Sequence, residues 1–438
     1  MADQNTIAAV QRSTTTPTGN LFQRFLAGTE LDTRLLGMIG ALILIWVGFH
    51  FASGGVFLTP RNLWNLSVQT SEVGVMATGM VLVIVTRNID LSVGSVLGFA
   101  GMIMGLLQAV ILPEYLGLGH PLIWVIALVG GIATGVVIGA IQGVIIAYLE
   151  VPAFIVTLGG YLVWRGGAYL LASGKTIAPM DPTFALLGGG PFGSIGATWS
   201  WALCAVICVA IAMAIILGRR QRRRFNFPLR PMWAEATLTA AGWAISIAAV
   251  WVANSYPWPK AVAAKWAADN NITAPPEGLF IPTGVAVPVL IALGAGVVMT
   301  FIANRTRFGR YVFAMGGNPE AAELAGIKTR WVTVKVFMLM GALAGVSACI
   351  ATARLNAATN SLGTLDELYV IASAVIGGTS LAGGVGTVVG ALIGALVMQS
   401  LQSGMQLLGL DTPLQSVVVG IVLVFAVWLD SLYRKRAK

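Results

Sequence analysis

The sequence predicts an all-α polytopic membrane protein, and three observations lead to that fold class. Hydrophobic residues make up 57% of the 438 positions and charged residues only 10%, which is too little polar surface for a soluble protein. Apolar runs long enough to cross a bilayer recur along the chain. Lysine and arginine are concentrated in some of the loops between these runs and are scarce in the others.

The apolar runs predict about twelve spans, since a helix needs roughly 20 apolar residues to cross a bilayer. They lie at 35–52, 66–86, 92–112, 122–148, 153–172, 198–217, 234–253, 283–302, 331–352, 366–383, 386–408 and 413–430. Two of them, 66–86 and 366–383, run into polar or glycine-rich junctions, where a broken helix or a re-entrant turn is an alternative. The prediction is therefore a core of ten spans plus one inserted helical hairpin.

Loop charges orient these spans, because short loops rich in lysine and arginine stay in the cytoplasm. With the N-terminus inside, 19 of the 26 basic residues fall on the inner side and five on the outer side. Both termini are therefore predicted to be cytoplasmic.

The same map divides the chain into five parts. A polar cytoplasmic tail, 1–34, precedes a first half, 35–218, and a basic cytoplasmic tail, 431–438, follows a second half, 283–430. Between the halves, 219–282 combines a basic turn, one span and an outer loop rich in proline and tryptophan. We interpret this segment as the inserted hairpin, anchored at the membrane interface.

Several function classes are excluded. The one Gly-Lys-Thr sequence, at 174–176, has Tyr169 where a phosphate-binding loop needs its first glycine, so this chain does not bind ATP through such a loop and any ATPase must be a separate chain. The basic residues lie in short loops and form no stripe, which argues against nucleic acid as a partner. Cys204, Cys208 and Cys349 lie inside apolar runs, so no metal site is predicted. We predict no catalytic residues and no cofactor in this chain.

A short capped helix is predicted at 318–326, in the basic, loop-like segment between the eighth and ninth spans. Asn318 suits the N-cap and Pro319 the first helical position. Glu320 and Glu323 favour the positive end of the helix dipole, and Gly326 can end the helix. A helix this short cannot span a bilayer, so it must lie outside the lipid.

Four segments resemble, in the same order, the permeases of ABC importers for ribose, xylose, galactose and related sugars. They are NIDLSVGS at 88–95, VPAFIVTLGG at 151–160, RTRFGRYVFAMGGNPEAAELAGIK at 305–328 and VIGGTSLAGGVGTVVGALIGAL at 375–396. The resemblance runs from about 62 to 430. Within this branch, TIAPMDPTFALLGGGPFGSIGATWSW at 176–201 and the arginine-rich insertion after it are most similar to D-xylose permeases.

The resemblance implies the membrane subunit of an ATP-driven importer that moves a monosaccharide, D-xylose, across the bacterial inner membrane. It also implies a homodimer, a periplasmic sugar-binding protein and a cytoplasmic ABC ATPase that holds ATP and magnesium. The remaining partner is membrane lipid. In this family the helix at 318–326 would be the coupling element on which the ATPase docks.

Polar residues at the two glycine-rich breaks are the candidates for a sugar pathway, since a sugar needs hydroxyl-matching donors and acceptors. The set, including two residues of the family segment at 151–160, is Asn88, Asp90, Ser92, Ser95, Phe154, Thr157, Thr379, Ser380 and Thr387. The alternative is that such small polar residues join helices together.

Two other functions remain open at this point. An ion-coupled sugar symporter would use ionisable groups inside its spans, for which Glu72 and Asp90 are the candidates. A membrane scaffold or receptor subunit would transport nothing.

Overall fold

The computed structural model of the protein describes residues 26, 28–30, 32–272, 275 and 278–436. Within these residues the chain is helical and forms no strand, apart from three isolated bridges between loops. The predicted tail 1–34 lies mostly outside the described part. Residues 431–436 of the predicted C-terminal tail continue the last helix.

The helices are α1 (Thr33–Ala52), α2 (Pro60–Val85), α3 (Val93–Leu106), α4 (Leu112–Leu116), α5 (Ile123–Tyr148), α6 (Ala153–Leu171), α7 (Pro182–Ala185), α8 (Gly196–Arg224), α9 (Met232–Ser255), α10 (Lys260–Asp269), α11 (Val287–Arg305), α12 (Arg307–Gly317), α13 (Pro319–Leu324), α14 (Thr329–Leu355), α15 (Asp366–Ile376), α16 (Val388–Leu407) and α17 (Thr412–Arg436). A π-helical turn, Leu107–Ile111, joins α3 to α4, and a 3-10 turn, Leu186–Gly188, follows α7.

Ten helices of the described chain are long and apolar enough to cross a membrane. They are α1, α2, the continuous stretch from α3 to α4, α5, α6, α8, α9, α11, α14 and α16. In α17 the described apolar stretch is shorter, Thr412–Phe425. The predicted all-α polytopic membrane fold is confirmed.

The predicted span 366–383 is wrong as a continuous helix. Its helix, α15, has 11 residues and ends before Gly377, so it is only about 16 Å long, roughly half of a bilayer core. The glycines and the Thr-Ser pair that follow form turns, because they favour local backbone bonds over a helix. The break that the sequence offers as an alternative is the observed structure.

A non-helical segment, 356–365, precedes α15 and runs alongside α3. Glycines on one face of α3 leave room for its backbone, because a side chain at each of them would collide with this segment. The neighbouring pairs are Ala358 with Gly105, Leu362 with Gly98, and Gly363 with Gly94. Segment 356–365 is therefore packed against the helices and is not a free loop.

Arg165 of α6 satisfies the backbone of this segment. Its Nη1 donates to the carbonyl oxygens of Asn360 at 3.1 Å and Leu362 at 2.6 Å, and its Nη2 donates to that of Gly363 at 3.0 Å. Inside a membrane protein, non-helical backbone must find such partners, because lipid supplies none.

The core forms around α2 and around the pair α5 and α14. Of the ten candidate spans, α2 is the most buried, and it contacts α14, α15 and α16. Glycines bring α5 and α14 together: a side chain on Gly135 would overlap the carbonyl oxygen of Gly341, and one on Gly139 would overlap that of Phe337. Small residues at such spacing allow close helix packing in membranes.

Residues 201–249, together with the described residues up to Leu36, form a compact unit of their own. The predicted basic turn is helical here, since Arg219–Arg224 lie in the last turns of α8. Arg222 and Arg230 donate to the Glu30 carboxylate at 2.5–3.0 Å, and they lower the pKa of Glu30 to about 2, with the Arg222 bond as the main cause. The assignment of 219–282 as an insertion stays a prediction.

We expect Gly135→Val to weaken the fold by at least about 1–3 kcal/mol, because the new side chain would collide with backbone that cannot move aside as a side chain could. Gly166→Val is the matched control, since that helical glycine on α6 has nothing within 4 Å of its Cβ position. The measurement is thermal unfolding of the detergent-purified protein. Equal midpoints for the two variants would contradict the proposed packing of α5 on α14.

Candidate functional site

The predicted capped helix at 318–326 is present as α13. The Asn318 side chain accepts a hydrogen bond from the backbone N–H of Ala321 at 3.0 Å, and Pro319 occupies the first helical position. Glu320 lies in the first turn, and Gly326, with φ of +81°, ends the helix in the left-handed conformation that glycine adopts without strain. Local capping chemistry therefore explains both ends.

Most of α13 is exposed. Ala322 is its one buried residue, whereas Glu320 and Glu323 are exposed and the Leu324 side chain is 90% exposed. Leu324 holds its apolar side chain in water beside two carboxylates. A protein partner that covered this side chain would remove its apolar surface from water, so the position is suited to a protein contact. This face of α13 is where a partner could bind.

The sequence analysis missed α12. The segment after Arg305 was predicted as a loop, but Thr306 caps a second helix there by accepting a hydrogen bond from the Gly309 N–H at 3.1 Å. Its charged residues, Arg307 and Arg310, concealed this helix in a search for apolar spans. The capping threonine was the available signal.

Arg87 ties the end of α12 to the end of α2. Its Nε donates to the carbonyl oxygen of Gly316 at 2.9 Å, and its Nη2 donates to that of Gly317 at 2.8 Å. The N–H of Gly384, in the loop between α15 and α16, donates to the carbonyl oxygen of Val85 at 3.0 Å. Three separate chain segments therefore meet at this point, immediately before α13. From sequence, Arg87 had been only a charge that sets orientation.

The first predicted pathway group is a closed hydrogen-bond network. Asp90 is buried, and its Oδ1 accepts from the Ser92 N–H at 2.9 Å and from the Ser92 hydroxyl at 2.6 Å. Gln142 of α5, which the sequence analysis did not select, donates to the Ser92 hydroxyl at 2.9 Å. The space beside Asp90 and Gln142 has no room for a water molecule. These groups stabilise the start of α3 in this conformation.

The other predicted pathway residues near this break lie outside the network of Asp90, Ser92 and Gln142 or at its edge. The Ser95 hydroxyl donates to the Ser92 carbonyl at 2.7 Å, and the Thr157 hydroxyl donates to Ala153 at 2.9 Å and to Ile89 at 3.3 Å. The Asn88 side chain donates to the carbonyl and hydroxyl oxygens of Thr86 at 3.2 and 3.1 Å. The Phe154 side chain is 55% exposed, and Phe154 meets this group through its backbone carbonyl, which lies 3.4 Å from the Thr157 hydroxyl.

The second predicted group forms the turn between α15 and α16. Thr387 caps α16 by accepting from the Gly390 N–H at 3.1 Å. Ser380 accepts from the Ala382 N–H at 3.3 Å and is bound through its own N–H to Val385. The Thr379 hydroxyl is buried without a hydrogen-bond partner among the described residues. Both groups lie near the end of α2, but no hydrogen bond in the described chain joins them.

Glu72, one of the two candidates for ion coupling, is buried and has a counter-charge. Its Oε2 lies 3.1 Å from Nη2 of Arg354, at the end of α14. Among the described residues, no three His, Cys, Asp or Glu side chains are grouped to hold a metal ion.

A family model described as "Branched-chain amino acid transport system / permease component" matches residues 62–427. The xylose transport system permease protein XylH of Escherichia coli K12 is 35% identical over 413 residues, which are 93% of this chain and 94% of that protein. XylH of Haemophilus influenzae is 34% identical over 91% of this chain and 96% of its own length. The ribose import permease protein RbsC of Escherichia coli K12 is 30% identical over 90% and 92%. No solved structure matches the chain.

These matches confirm the resemblance to sugar permeases that the four sequence segments indicate. They extend well beyond those segments and include the described helices from α2 to α16. The chain therefore belongs to the family described as branched-chain amino acid transport system / permease component.

Proposed function

We propose that this protein is the membrane subunit of an ATP-driven ABC importer that moves D-xylose into the bacterial cytoplasm. The observation that carries the proposal is the identity of 35% to a xylose permease across 93% of the chain. The subunit works as a homodimer in the inner membrane, with both termini in the cytoplasm. A periplasmic binding protein delivers the sugar, and a separate ATPase supplies the energy.

The exposed face of α13 is the docking surface for the ATPase. Leu324 supplies the apolar contact and Glu320 and Glu323 supply charge around it. A small, well-buried apolar anchor with a polar rim is the usual anatomy of a protein contact. The proposed cytoplasmic side of this loop agrees with its basic residues.

Arg87 transmits movement of α13 to the two non-helical breaks, which are segment 86–92 and the loop between α15 and α16. When the ATPase pulls or pushes α13, Gly316 and Gly317 move with it, and the guanidinium of Arg87 transmits that movement to the segment 86–92. The loop between α15 and α16 follows, because Gly384 is bonded to Val85. Arg87 is thus a positioning residue that joins the energy source to both breaks. Asp90 and Thr379 lie at those breaks and become part of the pathway when they open.

The two alternatives have less support. The comparisons give no support to an ion-coupled symporter that would use Glu72 or Asp90. A scaffold without transport does not explain why the relatives are transport permeases along nearly the whole chain.

Uptake of labelled D-xylose tests the transport proposal. Vesicles that contain this protein, the ATPase and the binding protein should import D-xylose only with ATP inside, and a proton ionophore should leave the rate unchanged. Vesicles without the ATPase are the control. Import that survives ATP removal but stops with the ionophore would refute the ABC importer.

Leu324→Asp should reduce co-purification of the ATPase by about tenfold or more, because it places a charge at the centre of the apolar contact. The matched control is Leu118→Asp, since Leu118 is also 90% exposed but lies between α4 and α5. Both variants should insert into the membrane normally. Parental ATPase binding by Leu324→Asp would show that α13 is not the docking surface.

Arg87→Met should leave ATPase binding intact but lower the sugar moved per ATP by about tenfold, since hydrogen bonds from charged groups contribute about 1.5–3 kcal/mol each. Arg61→Met is the control, because Arg61 is exposed at the start of α2, whereas Arg87 follows the end of that helix. The measurements are uptake and ATP hydrolysis in the same vesicles. A parental ratio in Arg87→Met would rule out this route of transmission.

A further inference from the structure

A polar cavity lies between α2, α16, the end of α14 and the start of α15. Its volume is about 120 Å³, and its lining is Gln69, Glu72, Val73, Arg354, Asp366, Gln399, Gln402 and Gln406. A second cavity, of about 250 Å³, adjoins it and shares Gln69 and Arg354. None of the residues predicted as pathway members from sequence lines either cavity.

We propose that this pair of cavities is a binding subsite for a neutral monosaccharide inside the permease. The inference rests on the proposed sugar transport and assigns it a place and a set of residues. Together the two cavities fall just inside the lower end of the usual range for small-molecule sites, which begins at about 300 Å³.

The glutamines of α16 form the most distinctive part of the lining. Gln399, Gln402 and Gln406 recur at helical spacing and so share one face of α16. Exposure falls along this row, from the exposed Gln406 through Gln402 to Gln399, which is only 4% exposed. No hydrogen bond joins the Gln399 side chain to another described residue, and its amide atoms are not fully enclosed by the protein, so they can bond a molecule in the cavity. Such an amide gains hydrogen-bond partners when water or a ligand occupies the cavity.

The chemistry of the lining fits a sugar. Each primary amide both donates and accepts hydrogen bonds, as each sugar hydroxyl does. The second cavity adds Asn65 and Trp64, an aromatic surface of the kind that suits the apolar face of a sugar ring.

The charges and the polarity of the cavity lining argue against two other classes of ligand, anions and branched-chain amino acids. Glu72 and Asp366 provide two carboxyl groups against one guanidinium, so an anion would meet no excess of positive charge. The family description names branched-chain amino acids, but their side chains need an apolar pocket. Val73 is the one apolar side chain in the lining of the first cavity. A neutral polyhydroxyl compound matches the amide-rich lining better than either of these classes.

The subsite is placed so that a sugar can enter it from the periplasm. In the proposed orientation α2 begins on the outer side, where α14 and α16 end, so the exposed Gln406 lies nearest the outside. Beyond Asp366, α15 packs closely against α16: a side chain on Gly394 would overlap the carbonyl oxygen of Ser373, and one on Gly390 that of Gly377. The subsite is therefore closed on the side away from Gln406. In this orientation it lies on the outer side of the two breaks that Arg87 connects.

Thiol labelling tests occupancy of the subsite by sugar. Gln402→Cys is introduced after Cys204, Cys208 and Cys349 have been changed to alanine, and the complete transporter is studied in right-side-out vesicles. A water-soluble thiol reagent should react at position 402, and saturating D-xylose should slow this reaction by about fivefold or more. Leu118→Cys, in an exposed loop, should react at a rate that D-xylose does not change.

A transport assay provides the second measurement. The double variant Gln399→Leu with Gln402→Leu should import D-xylose at about a tenth of the parental rate or less, because the sugar loses hydrogen-bond partners that an apolar wall cannot replace. Gln108→Leu is the control, since Gln108 is equally buried but lies outside both cavities. Normalisation to folded protein separates any loss of stability from loss of transport.

The outcomes distinguish the two proposals. If the parental transporter fails to import D-xylose, the proposed function is refuted, and the subsite falls with it unless another neutral sugar is imported and protects position 402. If D-xylose is imported but neither protects position 402 nor depends on the two glutamines, the subsite alone is refuted. Protection by L-valine and not by any sugar would assign the cavity to amino acids and overturn the inference.

Discussion

The hydrogen bonds of Arg165 to segment 356–365 are the contacts on which the architecture depends. Lipid offers no partner to a free carbonyl group, so non-helical chain can lie among membrane helices only where protein supplies donors. Three carbonyl oxygens in this segment receive them from a single guanidinium. Because the segment is satisfied, α15 can be half the usual length and can begin inside the bundle, where Asp366 lines the polar cavity.

The glycine faces of α3 and α5 meet the second requirement, which is space. The non-helical segment 356–365 approaches α3, and α14 approaches α5, so closely that backbone touches backbone. Polar function and close packing are therefore separated along the chain. Glycines determine how near the helices come, and a few long side chains, such as Arg87 and the glutamines of α16, reach across what remains.

The sequence predicted the fold class and ten of the spans because a bilayer demands long apolar helices, and this demand is local to each segment. It also predicted α13, since Asn318 and Gly326 act on their own helix ends. Segment 356–365, Arg165 and Arg87 could not be predicted in the same way. Their partners lie about 200 residues away in the chain, so the meaning of each arginine depends on packing. The glutamines at 399, 402 and 406 did leave a signal, a polar row at helical spacing inside a predicted span.

The six residues of α13 are too few to hold a helix without the rest of the protein, because an isolated helix shorter than about 12–15 residues is marginal in water. A linear synthetic peptide copied from this segment would be mostly unfolded and would compete poorly for any protein that binds there. An inhibitor aimed at this surface would have to be preorganised, for example by cyclisation, so that the Leu324 side chain and its neighbouring carboxylates were already held in place.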